Sequence, residues 1–266
     1  MTLFIICHDS LPRYRVPDGA RIMWMSPVAP PPTDLEVVTG YDFFEQPERL
    51  HARLSGGLGS MAVHGWLSRE RPGGTVTIWQ YRKFVTDRAL GTPSLNYPGM
   101  SLVPEVGATN LDLVKPVPAA PHVLIAQPLK VGNLARQYER SHNVVDLLRY
   151  TALAIDTGVL AQKRTTAFLN ETLLVPGGIE LGTYPVDWWL PALDRLARVS
   201  LAFLDQHTPH DEDDPYQRRA VAFCQERLGS QLLLDWLREI RVQDSDARVI
   251  GVMHTVSEGS IYAGGS

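Results

Sequence analysis

An α/β fold, one domain with a mostly parallel central sheet flanked by helices, is what the 266-residue sequence predicts. Three observations predict it. Short β-rich apolar runs alternate along the chain with stretches of helical periodicity. Hydrophobic residues at 44% against 20% charged residues supply side chains for a large core and exclude a disordered or fibrous chain. No internal repeat is visible, which excludes solenoids and propellers.

The first strand is TLFIIC at residues 2–7, a buried run whose end opens a site at His8-Asp9. Residues 21–25 form a second strand. From Gln46 to Leu67, Leu50, Leu54, Leu58, Met61 and Leu67 recur near helical spacing, so a helix is expected, thinned in its middle by SGGLGS at 55–60. TVTIW at 75–79 alternates, is β-branched and follows Pro72-Gly73-Gly74, the mark of a strand, and it runs into Gln80-Tyr81-Arg82-Lys83-Phe84. Residues 87–121 carry prolines at 93, 98, 104, 116, 118 and 121 and no periodicity. They read as a long loop, either a lid or acceptor flap or a surface excursion with a short helix or hairpin.

HVLIA at 122–126 is another buried strand, and helical patterning follows from Asn133 to about Lys163. A strand at 172–175 stops at Pro176-Gly177-Gly178, and Asp187 opens a long helix to Leu204. The acidic run Asp211-Glu212-Asp213-Asp214 reads as a solvated turn before a last amphipathic helix from Tyr216 to Ile240. The domain is therefore expected at 1–245, with 246–266 a weakly specified tail.

The net charge of −4, from 25 basic and 29 acidic groups, gives no whole-chain attraction to nucleic acid or anionic membrane. No apolar run approaches the ~18 residues that span a bilayer, and MTLFIICHDS has no basic stretch before its short apolar run. Neither a transmembrane segment nor a secretion signal is expected. Two distant cysteines, Cys7 and Cys224, read as buried, reduced thiols, and a cytoplasmic location is expected. GxGxxG, the Walker lysine loop, GxSxG, HExxH and zinc spacings are all absent, which argues against dinucleotide dehydrogenases, serine hydrolases and zincins.

Polar groups at strand ends remain. In open α/β sheets ligands bind beyond the carboxyl ends of strands, which places His8 well for a sugar or nucleotide hydroxyl. Gln80, Tyr81, Arg82 and Lys83 supply an amide, a phenol and two cations, a set suited to a sugar ring and a phosphate or to a polar edge strand. His142 and Asp146 stand four apart on one helix face, as a base with its partner, a metal pair, or an exposed pair with Arg149. Arg218, Arg219, Glu226 and Arg227 share the last helix, where a solvated charged face is the ordinary reading.

Taken in order over residues 3–240, these segments resemble the bacterial family called domain of unknown function 4422, glycosyltransferase-like proteins of capsular and exopolysaccharide loci. The family's first strand ends in a Thr-His-Lys-like element, matched at His8; its His-Tyr-Arg-Arg-Tyr-Phe motif is similar to Gln80-Tyr81-Arg82-Lys83-Phe84. Tyr138, His142 and Asp146-Leu147 resemble a third segment, Phe168-Leu169-Asn170 a fourth, and Arg218-Arg219 with Glu226-Arg227-Leu228 the closing helix. The chain departs at Gln80, where the motif histidine is lost, and near residue 55, where the acid of a Cys-Glu-Leu-Thr element is missing.

The resemblance implies a glycosyltransferase of the GT-A type for polysaccharide biosynthesis, moving a sugar from a nucleotide-activated donor to a glycan or small-molecule acceptor. Asp146 assisted by His142 is the candidate general base; His8, Gln80, Tyr81, Arg82, Lys83, Asn170, Arg218, Glu226 and Arg227 are the candidate binding residues. No Asp-x-Asp is present to hold a divalent ion, so metal dependence stays open beside the nucleotide sugar as co-substrate. The alternative is a non-catalytic sugar- or nucleotide-binding protein on the same scaffold. Donor, acceptor, stereochemical outcome and oligomeric state are not legible.

Overall fold

The computed structural model describes residues 1–257 except Asn96, Pro98, Asp112, Asp211, Glu212, Asp244, Ser245 and Ala247. Asp211 and Glu212 of the acidic run, and residues 258–266 of the expected tail, thus lie outside the described residues. Twelve strands are described: β1 Thr2–Cys7, β2 Arg21–Trp24, β3 Glu36–Thr39, β4 Thr75–Gln80, β5 Lys83–Thr86, β6 Thr92–Pro93, β7 Met100–Pro104, β8 Leu124–Ala126, β9 Leu129–Lys130, β10 Leu173–Leu174, β11 Gly182–Pro185 and β12 Ile250–Ser257. The helices are α1 Pro47–Leu54, α2 Gly56–Glu70, α3 Glu105–Ala108, α4 Leu134–Glu139, α5 Val144–Asp156, α6 Thr165–Leu169, α7 Val186–Gln206 and α8 Ala220–Glu239.

The main sheet runs β3-β2-β1-β4-β11-β8-β12-β7-β6. Its first four strands are parallel, with Phe4 opposite Arg21 on one side and Ile78 on the other. The expectation of a mostly parallel sheet holds throughout that half; beyond it only the pairings of β12 with β7 and β8 are parallel. β11 enters antiparallel to both β4 and β8, and β5 is antiparallel to both β4 and β12, so β4, β11, β8, β12 and β5 pair in a closed five-strand ring. The sheet is mixed. The segment expected as a weakly specified tail supplies β12, which pairs with β5, β7 and β8.

β1 is apolar from Leu3 to Cys7 because both its faces are covered. Phe4 and Ile6 join the large core under α2, α5, α7 and α8, while Leu3, Ile5 and Cys7 meet Tyr14, Ala20, Trp79 and Phe84 on the opposite face. The helix expected at 46–67 is two helices, broken at Ser55, whose φ of 47° is a left-handed conformation unusual for serine. The following glycines bring α2 close to its neighbours: a Cβ at Gly59 would lie 2.3 Å from Ile6 Cγ2, and one at Gly57 would lie 2.5 Å from Gln225 Nε2. The helical stretch at 133–163 is likewise interrupted. The Asn133 side chain caps α4 by accepting from the Arg136 N–H, and Asn143 caps α5 by accepting from Val145. The expected long loop at 87–121 holds β6, β7 and α3, the excursion with short elements, and β7 is paired parallel to β12. Both cysteines are buried.

Candidate functional site

Beyond the carboxyl ends of β1 and β4 lies a cleft of about 290 Å³. His8, the β4–β5 turn, the α1–α2 junction, the 176–181 turn and the first turns of α8 line it. His8, Gln80, Tyr81, Arg82, Lys83 and Glu226, widely separated in sequence, meet there.

The Tyr81-Arg82 turn is anchored on both flanks. The Tyr81 N–H donates to Ile6 O at 3.0 Å, and Arg82 O accepts the Val256 N–H at 2.8 Å. The Tyr81 ring stands edge-on to His8, centroids 6.3 Å apart, and the Arg82 guanidinium sits 4.9 Å over the same ring. On the far wall Arg219 packs over Tyr216 and Phe223, at 5.1 and 5.6 Å. Among the described residues neither Arg82 nor Arg219 has a carboxylate partner, so both guanidinium forks remain available to an anion.

His8 Nδ1 is hydrogen-bonded to His51 Nε2 at 2.8 Å, and His51 Nδ1 to the Tyr41 hydroxyl at 2.7 Å. Burial, followed by the neighbouring His51, lowers the His8 pKa to about 4, so the imidazole is neutral. Glu180, 7% exposed, enters from the 176–181 turn. Its Oε1 accepts from Gln225 Nε2, Gln225 Oε1 accepts from the Ser200 hydroxyl at 2.5 Å, and the Tyr150 hydroxyl donates to Ser200 at 2.7 Å. Burial raises the Glu180 pKa to about 8, the Gln225 donor opposes it, and Glu226 adds to it. Glu180 is therefore a protonated acid at neutral pH. It was not picked out in the sequence, where it stands two residues past the strand-stopping Pro-Gly-Gly turn and far from its partner Gln225.

Glu226 holds that turn in place. Its Oε1 accepts the Gly177 N–H at 2.8 Å, and its Oε2 takes Arg227 Nη1 at 2.7 Å. Gly178, at φ +54°, lies so close to α8 that a Cβ would meet Glu226 O at 2.8 Å. Arg227, 5% exposed, reaches back to Phe223 O and Gln137 Oε1, each at 3.1 Å, and is a buried strut behind the wall rather than a ligand-binding group.

Four other expectations are placed elsewhere. Asn170 is exposed and accepts from Asn133 Nδ2 at 2.6 Å, tying α6 to α4. Arg218 does not line the cleft; its neighbour Arg219 does. His142 precedes α5 instead of sharing its face, because Asn143 is the cap. Its ring stacks 4.0 Å from Phe223 and 5.5 Å from Tyr216, it is joined to Gln217 Oε1 at 3.2 Å, and burial lowers its pKa. Asp146, 2% exposed, accepts the His210 N–H on both oxygens at 3.1 Å and pairs with Arg149 at 3.8 Å. A carboxylate occupied by a loop amide acts as a tether, and neither His142 nor Asp146 lines the cleft.

Among the described residues no three of the His, Cys, Asp and Glu side chains are grouped to hold a metal ion, and no helix is long and apolar enough to cross a membrane. No family model and no curated protein matches the chain, so the resemblance to domain of unknown function 4422 rests on its ordered motifs. The fold is similar to that of a solved structure of the bifunctional glycosyltransferase WbbM in its apo form, with a TM-score of 0.65 and 12% identity over 97% of this chain. The chain spans 45% of the length of that protein, and the likeness is one of fold.

Proposed function

We propose that the chain is a glycosyltransferase of GT-A-like architecture that binds a nucleotide-activated sugar in this cleft and transfers the sugar to an acceptor hydroxyl. The observation that carries the reading is electrostatic. In a protein of net charge −4 the cleft gathers Arg82, Lys83 and Arg219, while its two acids are a protonated Glu180 and a Glu226 already tied to Arg227. A rigid cationic cleft suits a diphosphate whose charge grows as it leaves.

The acceptor oxygen attacks the anomeric carbon, the bond from that carbon to the diphosphate oxygen breaks, and the diphosphate departs with the bonding pair against the cations. The acceptor proton passes to the minor ionised fraction of Glu180, which a pKa of about 8 leaves at roughly a tenth near pH 7 and which grows as pH rises. Neutral His8, held by His51, offers a ring nitrogen to a sugar hydroxyl.

Calorimetric titration with uridine and guanosine diphosphates and their sugar conjugates, with and without Mg²⁺ or Mn²⁺, and a donor-hydrolysis assay test the reading. Arg82→Ala and Arg219→Ala are expected to weaken binding about tenfold each, whereas Arg218→Ala leaves it near the parent. Glu180→Gln retains binding and abolishes turnover. Binding without turnover in the parent supports the alternative of a non-catalytic nucleotide-sugar module; no binding by any nucleotide overturns both.

A further inference from the structure

A second cavity of about 440 Å³ lies between the first turns of α7, the 158–164 turn and the C-terminal half of α8. Its wall carries Trp188 and Trp236, both partly exposed and stacked with centroids 4.2 Å apart and planes at 20°. Around the rings stand Gln231, Asp235, Arg195 and Glu239. Asp235 meets its three partners, Arg164 at 2.7 Å, Gln231 Nε2 at 2.8 Å and Arg238 at 3.7 Å, all through Oδ1. Among the described residues its Oδ2 has no partner, on a side chain 26% exposed. Gln231, 3% exposed, has an Oε1 with no hydrogen-bond partner, an unusual condition for a buried amide.

From this arrangement we infer that the cavity is a binding site for a neutral glycan. Aromatic faces match the apolar C–H faces of a pyranose, and planar carboxylate, amide and guanidinium groups match its hydroxyls. Two arginines, Arg164 and Arg195, against Asp235 and Glu239 leave the wall without net charge, which favours a neutral sugar over a phosphorylated or acidic one. The site is separate from the cationic cleft. Asp235 follows Glu226 by nine residues on α8, which at 3.6 residues per turn puts it on the opposite side of the helix and about 14 Å along its axis. The glycan site goes beyond the transferase reading and does not depend on it.

Intrinsic tryptophan fluorescence and saturation-transfer NMR on the full chain, titrated with neutral hexasaccharides of glucose, galactose and mannose, test the site. At least one hexasaccharide is expected to quench fluorescence saturably, with or without excess nucleotide. Trp236→Ala is expected to weaken that binding about tenfold or more. Asp235→Asn, which keeps the stacked rings, weakens it roughly fivefold. Arg82→Ala leaves it unchanged, which separates failure here from failure of the transferase reading. Should Trp236→Ala misfold by circular dichroism, Asp235→Asn decides. No saturable binding by any of the three sugars, or undiminished binding by a folded variant, overturns the inference.

Discussion

Glu180 and Asp146 are both acids buried beside α8 or the loop before it, and their surroundings treat them in opposite ways. Asp146 accepts a backbone N–H on both oxygens and has a guanidinium nearby, so its hydrogen-bonding capacity is consumed within the protein. Among the described residues Glu180 receives one amide donor, at the end of a buried chain from Tyr150, and has no cationic partner; it borders a cleft. Burial without a compensating charge raises its pKa to about 8. The difference teaches that a buried acid becomes a reactive group only where its proton is left for something outside the fold.

The largest expected effect follows from that proton. Glu180 in the folded chain has a raised pKa, so between about 4.5 and 8 the native state holds a proton that the unfolded state has lost. Stability should fall across this window as pH rises, by several kcal/mol. Urea denaturation of the parent and of Glu180→Gln at pH 5 and pH 9 checks this: the variant should lose most of the slope. An unchanged slope would erase the contrast between the two acids.

Asp146→Ala comes next. It strands the His210 N–H, and a loss of about 2 kcal/mol in unfolding free energy is expected. Nucleotide affinity of the folded variant should match the parent; a selective loss of affinity would return Asp146 to the site.

A smaller effect sharpens the comparison from the basic side. His8 has its pKa depressed to about 4, so the unfolded state binds the extra proton between pH 6.5 and 4, and stability should decline as pH falls through that range. His8→Gln should flatten the decline in the same denaturation series. The smallest signal concerns Cys7 and Cys224, whose thiols burial pushes up to about 12. Native-state labelling by a thiol reagent should proceed no faster than unfolding.

Much of the parallel half was legible because its strands are buried on both faces: TLFIIC and TVTIW are nearly continuous apolar or β-branched runs. In the ring half β8 was legible in HVLIA, whereas β5 and β11 are only four residues long and β12 falls in the stretch read as a tail, with partners far away in sequence. β3 was missed for another reason, since its EVVT is only half buried and carries no strong period. In the site, residues next to a readable strand end line the cleft, as His8 and Arg82 do. Those assigned by helical spacing lie outside the cleft, because α4 ends at Glu139 and Asn143 starts a new helix after His142, a cap signal present in the sequence and passed over. Glu180 depends on a docked turn and on Gln225 forty-five residues later, which local pattern does not encode.

The closed ring also dictates an order of events during synthesis. β5, β7 and β8 are complete by residue 126, yet their shared partner β12 begins at Ile250. Until that last strand emerges, three strands carry backbone edges that their native partner has not covered, so the nascent chain passes through a long interval in which edge-to-edge association competes with folding. Closure across more than a hundred residues is intrinsically slow, and β12 acts as the latch that ends the interval.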